Sequence, residues 1–138
     1  MKNGGFVGLW WEIESNQNFQ HSLFGRLFDS NFQEALDSKF AISDTRTGRF
    51  YSSTTLDKQR NVPEDVFVVV YQNYDTKAIE GQFFYNNNAN KAGDLFIIFQ
   101  DKNLDQGETY PMVFSISDHQ FGVVWAQNVN LKNGGSWQ

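Results

Sequence analysis

The side chains that could do chemistry here are few, and their spacing points to binding rather than bond making. His21 and His119 are the only two histidines. They are far apart, and neither has a second His at the spacing of a zinc site. The stretch Asp101-Lys102-Asn103-Leu104-Asp105 lacks the Gly and the terminal Glu of a calcium loop. No Ser-His-Asp set, phosphate-cradling loop or paired carboxylates can be assembled from the spacing. Cysteine is absent, which removes disulfides, thiolate metal sites and cysteine nucleophiles. Ring surface is abundant instead, with fourteen Phe, five Tyr and four Trp. Aromatic walls with a few placed polar groups are what a small apolar ligand requires.

Positioning such walls calls for strands. Phe6–Glu14 reads as the first, its Gly8 allowing close approach of a neighbouring backbone and Trp10 plugging one end. Residues 15–37 read as a long ordered loop over an opening, with a short helix at Asn31–Ser38 from the capping spacing Ser30-Asn31-Phe32-Gln33. From there the hydrophobic period becomes two. Strands are expected at Lys39–Asp44, Arg49–Leu56, Val66–Tyr71, Ala78–Tyr85, Leu95–Phe99, Tyr110–Ser117 and Phe121–Ala126. Thr45-Arg46-Thr47-Gly48 reads as a hairpin turn with Gly48 in the left-handed position. About eight strands with short turns make the pattern of an up-and-down antiparallel barrel.

Alternation then selects the inner face. If Trp10 points inward, so does Glu12; Gly81 inward brings Phe83 and Tyr85; Leu95, Ile97 and Phe99 share a face, as do Val123 and Trp125. A carboxylate in a dry core is costly, so an inward Glu12 implies a wet cavity, whereas a one-residue slip returns it to the surface. His21 sits in the loop over the mouth. Phe96 and Ile98 would then face outward, on a strand with no residue suited to solvent. An outer patch of this kind calls for a homo-oligomer through Leu95–Phe99, or for the loop Phe19–Phe28 as its cover.

Composition bounds the rest. A chain of 138 residues suits one domain, 1–138, with its own core. A net charge of −5 with no Lys/Arg block excludes nucleic acid as a partner. No apolar run reaches the length of a transmembrane segment, and Met1–Gly5 lacks the apolar core of a secretion signal.

With the strands in place, the chain resembles the lipocalins, particularly the apolipoprotein-D-like and bacterial branch. Gly8-Leu9-Trp10-Trp11-Glu12-Ile13-Glu14 is similar to that branch's Gly-x-Trp-Tyr-Glu-Ile opening, and Phe19 follows at the spacing of an aromatic in its first loop. Ile79-Glu80-Gly81-Gln82, then Leu95–Phe99, and the corner Ser117-Asp118 follow in family order. The pattern departs where no Arg follows Trp125, where residues 128–138 supply no terminal helix, and where Val66–Tyr74 adds a strand. Those departures widen the resemblance to the calycin group, with its avidin-like and fatty-acid-binding barrels.

The resemblance implies an all-β, up-and-down, lipocalin-like barrel with one short helix in its first long loop. Its function would be non-catalytic binding of a small hydrophobic molecule, with a lipid or pigment as the bound group. The walls would be Trp10, Phe40, Ile42, Phe83, Tyr85, Ile97, Phe99, Phe114 and Trp125, with Glu12 or His21 orienting the ligand. A solid-cored interaction module of the inhibitor or immunity type, using its acidic loops, is the alternative. A barrel enzyme acting on a bound lipid or pigment is a third. A removed signal would place a lipocalin-like chain outside the cell or in the periplasm; without one the compartment is the cytoplasm.

Overall fold

The run Val-Phe-Val-Val-Val-Tyr is apolar at every position, so a strand made from it must be covered on both faces. In the computed structural model this strand, β5 (Val66–Asn73), is buried at all eight positions. The structure describes residues 5–13, 21–34, 39–43, 45, 47–56, 65–102, 109–117 and 120–126. Around β5 lie β1 (Phe6–Ile13), β2 (His21–Phe28), β3 (Phe40–Ser43), β4 (Thr47–Leu56), β6 (Ala78–Tyr85), β7 (Phe96–Gln100), β8 (Met112–Ser117) and β9 (Gln120–Val124). No helix occurs among the described residues.

Pairing is antiparallel throughout, in three sheets of order β1-β2-β3, β4-β5-β6-β7 and β8-β9. The all-β expectation holds, but among the described residues these sheets are not paired into a closed barrel. They stack instead. Phe67, Val69 and Tyr71 face one way, into a cluster with Leu23 and Leu27 of β2, Ile42 of β3 and Phe84 of β6. Val66, Val68 and Val70 face the other way, into a cluster with Leu56, Val113, Phe121 and Val123. The β4–β7 sheet is therefore the middle layer, with β1–β3 on one face and the β8–β9 hairpin on the other. Each cover removes roughly 1.5–3 kcal/mol of exposure cost per large β5 side chain.

Three local expectations change. The segment expected as a loop over a barrel mouth contains β2, which pairs residue for residue with β1 from Phe6↔Phe28 to Ile13↔His21. The expected helix at Asn31–Ser38 opens as a turn at Asn31 and Phe32, and residues 35–38 lie outside the described set. The expected hairpin at Thr45–Gly48 does not form, because β3 and β4 belong to different sheets and Gly48 lies inside β4.

Polar side chains fix the ends of the central strands. Glu80 is 1 % exposed. It accepts hydrogen bonds from Asn73 Nδ2 at 2.9 Å and from Thr76 Oγ1 at 2.6 Å. Asn73 Oδ1 in turn accepts from the Asp75 and Thr76 amides, so one buried carboxylate fixes the β5–β6 turn. On the opposite face of β5, Gln72 Oε1 accepts from both the amide and the hydroxyl of Thr109, each at 2.9 Å. That pair anchors the chain just before β8.

Candidate functional site

The predicted wall residues do not surround one lumen, because β5 stands between them. Phe40 and Ile42 belong to the β1–β3 side, with the Phe40 ring centred 5.5 Å from Phe84 and 6.1 Å from Phe67. Phe83 and Tyr85 belong to the hairpin side, Phe83 lying 5.1 Å from Phe96 and 5.8 Å from Phe121. Phe99 and Trp125 meet each other at 5.2 Å. Phe114 and Ile97 face solvent, 44 % and 55 % exposed. A cleft of about 310 Å³ opens between β1 and β4, lined by residues 5–7, 53–55 and Phe67. None of the predicted walls contributes to it.

The parity of β1 is one residue off the expected one. Val7 and Leu9 pack on the core, and alternation carries Trp11 to that side opposite Leu23. Trp10 and Glu12 lie on the outer face. Trp10 Nε1 donates to Glu12 Oε1 at 2.9 Å, and Lys39 Nζ donates to Glu12 Oε2 at 2.5 Å. The same ammonium sits 4.1 Å from the centre of the Phe24 ring. The hydrogen bond from Lys39, then that from Trp10, holds the Glu12 carboxyl below its ordinary pKa. Glu12 is thus a paired surface carboxylate rather than the polar group of a cavity. His21 opens β2 opposite Ile13. His119 lies outside the described residues. Tyr51 donates its hydroxyl to the Leu9 carbonyl at 3.1 Å, and burial raises its pKa.

The parity of β7 is likewise reversed. Phe96 and Ile98 pack on the hairpin-side cluster, so β9 covers them, while Leu95 and Ile97 are the exposed pair. The oligomer face expected on Phe96 and Ile98 is therefore an internal contact.

One residue that the sequence did not single out, Phe32, joins a left-handed φ, which Lys77 and Ala89 share, to a large exposed ring. Between β2 and β3, Asp29 organises a closed turn: its Oδ1 accepts from the amides of Asn31 at 2.8 Å and Gln33 at 2.9 Å. The Asp29 amide donates to the Gln33 carbonyl at 2.9 Å, and Phe28 bridges Glu34. At the tip Phe32 adopts φ 62°, and its side chain is 75 % exposed. A left-handed φ at a bulky residue costs about 1–3 kcal/mol, and exposing a ring adds to that. Phe6 stands 5.5 Å behind it and stacks on Phe28 at 4.8 Å with a 10° tilt. The ion pair of Arg26 Nη1 with Glu34 Oε1, 2.5 Å long, pins the base of the turn. The available signal was Asp29 and Asn31, both turn formers, just before an aromatic.

Among the described residues no three His, Asp or Glu side chains converge into a metal-binding group. No described helix is long and apolar enough to cross a membrane. Comparison with protein-family models, with curated proteins and with solved structures finds no match.

Proposed function

We propose that this chain is a non-catalytic protein-interaction module that inserts Phe32 into an apolar pocket on a basic partner protein. The conformation of Phe32 carries the proposal. The Asp29 turn holds a bulky side chain in a costly backbone state and presents it to solvent, where it does little for folding. Strain kept in place by a complete hydrogen-bond frame is characteristic of binding loops. Aromatic side chains are enriched at the centres of protein interfaces, and the ring here is backed by the Phe6–Phe28 stack. The charge around it favours a basic partner: Arg26 offsets Glu34, which leaves Asp29 as the net charge of the turn, on a chain of net charge −5. An acidic surface steers encounter with such a partner.

The division of the aromatic walls between two sides of β5 weighs against a carrier of a hydrophobic ligand, since such a carrier needs one lumen. Two measurements separate the readings. A photoreactive phenylalanine analogue at position 32, introduced in the source cells, should cross-link one discrete protein. Excess wild-type chain should compete that product away, and Phe32→Gly should not. Phe32→Gly should also leave the fold intact, and stabilise it by about 0–1 kcal/mol, since glycine tolerates the left-handed φ at an entropic cost. No discrete product, or equal competition by Phe32→Gly, would overturn the proposal. Stoichiometric binding of an apolar dye with a shift of the Trp fluorescence would restore the ligand carrier.

A further inference from the structure

The β8–β9 hairpin carries apolar side chains on both faces, and among the described residues only one face is covered. Its inner face sends Val113, Phe121 and Val123 into the hairpin-side cluster. Its outer face carries Met112, Phe114 and Ile116 at alternate positions of β8, with Val124 directly opposite Met112. These four are 60 %, 44 %, 61 % and 53 % exposed. We propose that this outer face is a self-association surface on which a second copy of the chain seats, face to face about a two-fold axis.

Three observations favour a second copy as the occupant. Charge comes first: none of the residues of β8 or β9 is Asp, Glu, Lys or Arg. In a chain of net charge −5, two copies meet there with the least repulsion. Area comes second. The four side chains present roughly 400 Å² of apolar surface, a patch of the size that is often functional on a monomer. Two copies would bury roughly 800 Å², below the size of a stable specific interface, so the dimer is weak and concentration-dependent. Pre-organisation is third. The Phe114 ring lies flat over Gly122 on the paired strand, where a Cβ would come within 2.5 Å of Phe114 Cζ. That contact holds the ring level with the face, so a flat, self-complementary surface exists before association.

This surface lies on the opposite side of the middle layer from Phe32, so its test is independent of the proposed function. Sedimentation velocity across a dilution series should show wild-type dimers at high micromolar concentration that dissociate at low micromolar. The double variant Met112→Lys/Ile116→Lys places like charges against each other across the two-fold and should weaken association by about 100-fold or more. Ile97→Lys, at an exposed apolar residue on β7, should dimerise as the wild type does. Because the chain has no cysteine, Ile116→Cys carries the only thiol for a nitroxide. In a mixed sample it should broaden the Met112, Phe114 and Val124 signals of unlabelled copies. A wild type that stays monomeric throughout, broadening centred elsewhere, or a monomer that instead sediments with phosphatidylcholine vesicles would overturn the proposal.

Discussion

Replacing Gly81 by Ala tests the packing of the middle layer against the hairpin. Gly81 pairs directly with Phe96, and a Cβ there would lie 2.6 Å from Phe96 Cε2, inside the van der Waals limit. The ring has little room to yield, since Phe83 stands 5.1 Å to one side and Phe121 6.1 Å to the other. Overpacking a filled core costs about 1–3 kcal/mol. Replacing a strand glycine by alanine ordinarily gains about 0.5–1 kcal/mol through the unfolded chain. The net expectation for Gly81→Ala is a loss of about 1–2 kcal/mol.

Gly122→Ala is the matched control. Its Cβ would meet Phe114 as closely, at 2.5 Å, but Phe114 is 44 % exposed and can swing into solvent. Gly122→Ala should therefore be neutral or stabilising by up to about 1 kcal/mol. Urea unfolding at low micromolar concentration, where association does not contribute, measures both. In the Gly81→Ala background, Phe96→Leu should cost less than it does alone, with a coupling of about 0.5–3 kcal/mol. Equal effects at the two glycines, or a stabilised Gly81→Ala, would refute the placement of β7 and β9 on that face.

Two further outcomes follow from the polar contacts. Glu80→Ala strands the buried donors of Asn73 and Thr76 and should lower stability by about 1–3 kcal/mol in the same unfolding assay, with Glu80→Gln costing less because an acceptor remains. Glu12 has a folded pKa below its ordinary value, so its contribution is present above the ordinary carboxylate pKa and lost as pH falls through the folded one. Acid unfolding curves of wild type and Glu12→Gln should converge at the acid end and separate towards neutral pH; constant separation would mean the Lys39 pairing adds nothing to stability.

Much of the middle layer was legible because its code is local. Ala78–Tyr85 has the expected bounds, and Val66–Tyr71 extends only to Asn73, since apolar and β-branched runs between turn formers leave little choice. The outer layers were less legible. β2 carries Leu23 and Leu27 inward but Phe24 and Phe28 outward, and apolar side chains on both faces erase the period of two that marks a strand. The order Trp10-Trp11 gave no basis for choosing the inward ring, and that choice moved Glu12 from a cavity to a surface pair with Lys39, 27 residues away. Closure was the hardest to read. Whether two edge strands pair depends on contacts distant in sequence, and eight strands of barrel pattern serve equally well as stacked sheets. The left-handed φ of Phe32 had no sequence mark beyond the turn formers before it.

The placement of the candidate sites follows from β5. A strand apolar on both faces obliges the chain to build two covers, and each cover is itself a sheet with a second side. In a barrel the spare faces would point into a lumen; in stacked sheets they point out. The outward side of β1–β3 holds Phe6, Phe28, Trp10 and Phe24 with charged partners interleaved, and its β2–β3 turn raises Phe32 beyond them. On the outward side of the hairpin, β8 and β9 hold only uncharged residues among those described. One spare face is thus aromatic, with Phe32 at its tip, and is the face we propose meets a different protein; the other carries no charged residue on β8 or β9 and is the one we propose meets its own copy. Of the expected aromatic walls, Trp10 and Phe114 stand on outer faces, while Phe40 and Phe83 stay inside, in separate clusters on the two sides of β5.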